Sequence, residues 1–128
     1  MNDSIKSTRG FSLIEILIAI VILSISLLGL AALMVTTTQN NSFGAHMSEA
    51  TTFAQDMLER LRVSPWEKVV SGKDPLPIAG STGINYDRNW VVSPNPISPN
   101  DTLRTVTITV KWNDKTDHSI SVLSAIYK

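Results

Sequence analysis

From Phe11 to Val35 the chain runs for 25 residues with a single formal charge, Glu15, and the next charge downstream is Glu49. As a helix this run would span about 37 Å at 1.5 Å per residue, enough to cross a hydrocarbon core of roughly 30 Å with some tilt. It exceeds the roughly 7–15 apolar residues of an ordinary secretory signal. Sixteen of its residues are Phe, Leu, Ile or Val. Each favours insertion by about 0.3–0.6 kcal/mol, on the order of 5–9 kcal/mol together, against roughly 2.5–3.5 kcal/mol for an acid at mid-membrane. Glu15 lies near the start of the run, where that cost is smaller. The segment is therefore expected to insert.

The flanks set its direction. Lys6 and Arg9 precede the run and the next cation is Arg60. The positive-inside rule leaves the N-terminus cytoplasmic and exports the rest, into the periplasm of a bacterium with two membranes. What remains of the 128 residues allows one small head, with a small core that needs bracing. With no cysteine, that brace is neither a disulfide nor a thiolate metal site. The 11 basic and 11 acidic residues balance, whereas a nucleic-acid binder normally carries a basic excess or stripe.

An ionisable residue inside a membrane segment is costly to keep and marks a functional position. Around Glu15 the sequence reads Arg9-Gly10-Phe11-Ser12-Leu13-Ile14-Glu15, followed by Ile16-Leu17-Ile18-Ala19. This stretch resembles the cleavage and methylation motif of type IV prepilins and pseudopilins. The resemblance implies a leader, residues 1–10, removed by a prepilin peptidase between Gly10 and Phe11. It also implies N-methylation of Phe11 and a role for Glu15 in filament assembly. Cleavage would create a cationic amine on Phe11, and a carboxylate on a neighbouring subunit could neutralise it where the dielectric is low. Such a pair would reward one axial register, as a buried polar residue does in a coiled coil.

Residues 36–63 contain no proline until Pro65, so the helix is expected to continue into water. Phe43, Met47, Ala50, Ala54, Met57 and Leu61 recur at three- and four-residue steps, with Phe53 and Leu58 widening the stripe. That is an amphipathic helix with one buried face. Asp56 and Arg60 stand at i,i+4 off the seam, where they pair weakly. Ser64-Pro65 stops the helix, and Asn40-Asn41 and Gly44 are the places for a bend or local melting. The stripe is short for a coiled coil, so a sheet is the expected partner. Ala50 to Arg62 resembles the corresponding helix of PilV-type minor pilins.

The segment 64–85, with three prolines and three glycines, reads as a long irregular connection that returns Trp66 to the core. Tyr86 to Val92 is a strand with Tyr86, Trp90 and Val92 on one parity. The prolines of 93–100 preclude regular structure. Leu103 to Trp112 alternates Val106, Ile108, Val110 and Trp112 with threonines and Lys111, a half-buried strand. Asn113 to Asp117 is a turn, and His118 to Tyr127 closes a hairpin with Ile120, Val122 and Ile126 inward. Trp112-Asn113-Asp114 and the following His118-Ser119 also resemble the closing hairpin of PilV-type proteins. The fold class is α+β, type IV pilin-like: a long N-terminal helix packed on a small antiparallel sheet.

No catalytic constellation is legible, and no cofactor or metal is expected. His46 and His118 lie far apart in sequence, without ligand spacing, and structural or surface roles are expected for both. The sequence thus reads as a non-enzymatic minor type IV pilin of the PilV kind, first in the inner membrane and then in the pilus at the cell surface. Its expected partners are other pilin and minor pilin subunits, the prepilin peptidase/methyltransferase and membrane lipid, with no nucleic acid. The alternatives are a type II secretion pseudopilin and a membrane-anchored periplasmic protein that never polymerises.

Overall fold

The computed structural model describes residues 10–94 and 97–128. The leader residues 1–9, with Lys6 and Arg9, lie outside the described residues, as does part of the proline-bearing loop.

Helix α1 spans Leu13–Val63, 51 residues, without interruption at Asn40-Asn41 or Gly44. It starts two residues later than the apolar run. The Ser12 carbonyl accepts from the amides of Glu15 (3.0 Å) and Ile16 (3.2 Å), and serine is a favoured residue at this capping position. It ends before Ser64-Pro65, as the proline requires.

The chain forms two compact units, with the division between Asn41 and Ser42. In the first, every described side chain from Phe11 to Asn41 is exposed. The hydroxyls along the helix from Ser24 to Thr38 are satisfied internally. Ser24 and Ser26 donate to the carbonyls of Ile20 and Ile22, both at 2.8 Å. Thr36, Thr37 and Thr38 donate to Ala32, Leu33 and Met34 at 2.9–3.1 Å. A hydroxyl bonded back to its own helix carries little polar cost into an apolar environment.

The second unit packs the C-terminal part of α1 on a five-stranded antiparallel sheet. The strands are β1 (Gly72–Lys73), β2 (Ile78–Ala79), β3 (Asn85–Ser93), β4 (Leu103–Asn113) and β5 (Asp117–Tyr127). β4 lies between β3 and β5, and both short strands pair with β3. The expected irregular connection is therefore partly ordered. A 3-10 turn at Trp66–Lys68 and the two short strands interrupt it. Its prolines keep each piece short, but two residues suffice to bond the edge of β3.

The helix face that meets the sheet comprises His46, Ala50, Ala54, Met57, Leu58 and Leu61. Ala50 and Ala54 are fully buried, their small side chains letting the helix backbone approach the sheet. The stripe's first members, Phe43 and Met47, remain exposed, and His46 occupies the buried position instead. From the sheet, Tyr86, Val92, Val106, Ile108, Val110 and Trp112 complete the core, with Trp66 packed against it. The register sets Tyr86 beside Trp112 and Trp112 beside His118.

Two arginines share the inward parity. Arg88 is buried and grips Asp74 with Nε and Nη2 (2.7 and 3.2 Å). Its Nη1 donates to the Phe53 carbonyl of α1 at 2.7 Å and to Asp56 at 3.3 Å. Arg104, also buried, lies over the Trp66 ring at 4.2 Å. It donates to the carbonyls of Trp66 and Val69, the first of which also accepts the Val69 amide that closes the 3-10 turn. Each guanidinium spans elements that an aliphatic side chain could only touch.

Removing one partner of a buried ion pair strands the others. Arg88→Ala should destabilise the head by about 3–5 kcal/mol in chemical denaturation followed by tryptophan fluorescence. Arg60→Ala, which removes only an exposed i,i+4 pair with Asp56 (3.0 Å), should cost less than about 1 kcal/mol.

Candidate processing and assembly site

The chemistry-bearing residues of the N-terminal unit cluster at the start of α1. Gly10, Phe11 and Ser12 precede the first helical residue, Leu13, and Gly10 and Phe11 are exposed. The Gly10–Phe11 peptide bond is thus extrahelical, the condition for a protease to draw it into an extended binding mode. Among the described residues, nothing lies within 4 Å of a Cβ placed on Gly10. Internal packing therefore does not account for glycine at this position.

Glu15 sits in the first turn of α1, where the partial positive charge of the helix N-terminus favours an anion. Phe11, Glu15, Ile16, Ala19, Ile20 and Leu23 border a shallow groove of about 450 Å³. Glu15 is its one charged side chain, and no described cation pairs with it. An exposed apolar surface with a lone carboxylate is complementary to another apolar helix that brings a cation. Phe11 and Glu15 thus share one groove, and Gly10 lies at its N-terminal side in the chain.

A second polar cluster, in the head, escaped the sequence. Glu49, a helix residue outside the apolar stripe, has a carboxylate that is bonded five times. Oε1 accepts from the Ser81 amide (2.6 Å), the Ser81 hydroxyl and the Thr82 amide (3.2 Å). Oε2 accepts from the Thr82 hydroxyl (2.5 Å) and the Tyr86 hydroxyl (2.7 Å). The Ser81, Thr82 and Tyr86 hydroxyls, in that order, hold the Glu49 carboxyl down at about 2. Burial chiefly, with help from the Glu49 charge, pushes the Tyr86 phenol up to about 12. Gly80 makes room for this clasp, since a Cβ there would fall 2.5 Å from the Tyr86 ring and 2.6 Å from Glu49.

The two histidines, distant in sequence, converge on one carboxylate. His118 Nε2 lies 2.8 Å from Asp114 Oδ1, and His46 Nε2 lies 3.9 Å from Asp114 Oδ2. Periodicity cannot foresee this, because it depends on how the hairpin turn meets the helix. Among the described residues no group of His, Asp and Glu is arranged to hold a metal ion. On the outer sheet face, Asp87, Lys111, Asn113 and Asp117 line an open polar cleft of about 740 Å³.

Residues 5–31 match a family model described as the prokaryotic N-terminal methylation motif. The matched stretch includes Gly10, Phe11 and Glu15, so the chain carries a type IV pilin-like methylation signal over this part of its length. No curated protein and no solved structure matches the chain.

The clasp makes a signed prediction. Glu49 has its carboxyl lowered from 4.5 to about 2, so its contribution is complete above pH 4.5 and is lost as pH falls toward about 2. The thermal midpoint of the head should drop across that window, and Glu49→Gln should flatten the dependence. Gly80→Ala, which forces the clasp apart, should lower the midpoint at neutral pH and weaken the same acid dependence.

Proposed function

We propose that the chain is a minor type IV pilin of the PilV kind. It enters the inner membrane with its N-terminus cytoplasmic, is cut between Gly10 and Phe11, and is methylated on the new Phe11 amine. It then leaves lipid for the core of a pilus or of the complex that primes one, with its head outward. The observation that carries this reading is the solitary Glu15 on a fully exposed apolar helix, inside the stretch that matches the methylation motif.

In this account the mature Phe11 amine of one subunit meets Glu15 of its neighbour. Two unpaired charges are expensive among apolar helices, while a pair is tolerated and fixes register. Membrane anchoring is supported by the one described helix long and apolar enough to cross a bilayer. The PilV assignment rests on the likeness of Ala50–Arg62 and of the Trp112–Ser119 hairpin. The same N-terminal logic serves a type II secretion pseudopilin. Deletion that abolishes surface pili and twitching supports the pilin, and deletion that abolishes exoprotein secretion supports the pseudopilin.

Glu15→Ala subunits should be processed normally yet enter filaments at under about a tenth of the wild-type level, as pairing losses above roughly 1.4 kcal/mol require. Sheared filaments quantified against membrane-retained subunit give the ratio. Equal incorporation would sink the pairing. Gly10→Leu should leave membrane insertion intact and stop processing, seen as retention of the leader.

A further inference from the structure

The hydrogen bonds around His46 determine which of its ring nitrogens bears the proton. The Glu49 carboxylate takes the hydroxyl protons of both Thr82 (2.5 Å) and Tyr86 (2.7 Å). Thr82 therefore presents only lone pairs to His46 Nδ1, 3.0 Å away. Tyr86 has no proton left for Nδ1 either, at 3.5 Å. The Nδ1 nitrogen must be the donor, and neutral imidazole has only one N–H. His46 Nε2 is then bare. It accepts from the Ser42 hydroxyl at 3.2 Å and, carrying no proton, lies 3.9 Å from the Asp114 carboxylate with no hydrogen to offer it.

We propose that His46 is a proton-operated latch. Proton uptake at Nε2 places a cation and a donor 3.9 Å from the Asp114 carboxylate and draws the β4–β5 turn onto helix α1. The groups facing His46 come from each element around it: Glu49 from its own helix, Tyr86 from β3, Asp114 from the turn, and His118 from β5 beyond Asp114. Glu49 stays anionic throughout the range in which imidazoles titrate, so the tautomer lock persists while the latch operates. His118 lies with Nε2 2.8 Å from Asp114 and its ring tilted against Phe43 at 5.1 Å, so it anchors the same turn from the β5 side. Histidine is the side chain that most readily changes charge between pH 5 and 8, and an exported head meets whatever pH lies outside the cell. The latch is independent of what the subunit assembles into.

The test is imidazole and backbone-amide NMR of the full chain in detergent micelles between pH 8 and pH 5. At pH 8, His46 should show the Nδ1–H tautomer, which is the minor form of free imidazole in water. On acidification it should become imidazolium, and the Asp114 to Asp117 amides should shift in step with it. In Asp114→Asn the imidazolium should still form while the turn amides stop following it. In His118→Gln they should continue to follow His46. An Nε2–H tautomer at pH 8 overturns the proposal. So does a turn that tracks His46 in Asp114→Asn, or one that ceases to move in His118→Gln.

Discussion

An apolar helical surface that none of the described residues covers is the constraint on which this molecule turns. From Phe11 to Asn41 every described side chain is exposed, and sixteen of the first 25 are Phe, Leu, Ile or Val. Water cannot be the working solvent for that surface. Lipid can, and so can the helices of other subunits, provided the surface is uniform enough to move from one to the other. The internally bonded serine and threonine hydroxyls preserve that uniformity. Glu15 is the one formal charge on it, costly in lipid, and on the proposed reading it is kept for the cation that a neighbouring subunit brings.

The head answers a different problem. A core of this size is small, and with no cysteine it has no covalent brace. Polar side chains reach across elements instead. Arg88 ties α1 to β3 and to the segment carrying Asp74, Arg104 closes the end of the 3-10 turn, and Glu49 fastens α1 to the turn before β3. Each bond is modest in net stability. Breaking the bonds of Arg88, Arg104 or Tyr86 would leave a buried polar group unsatisfied, so they specify one arrangement of helix, loop and sheet.

Much of this was legible in the residues. The alternation of Val106, Ile108, Val110 and Trp112 defined β4, Ser64-Pro65 ended the helix, and Glu15 stood out because nothing around it was charged. What escaped was of two kinds. Arg88 and Arg104 sit on the buried parity of their strands, but an arginine in such a pattern reads as an edge residue until its partners are known. The Glu49 and Asp114 clusters join residues more than thirty positions apart or across a turn, so only the folded chain brings them together. The short strands β1 and β2 were hidden by neighbouring prolines for a similar reason: pairing, not local preference, makes them strands.

On the proposed reading the apolar helix is kept while the leader is cut from it. Intact-mass and N-terminal peptide analysis of the protein recovered from its native membrane tests this most directly. The expected product is a chain that begins at Phe11 and carries one added methyl group on its amine. A chain that retains residues 1–10, or one that has lost the apolar run, would contradict it.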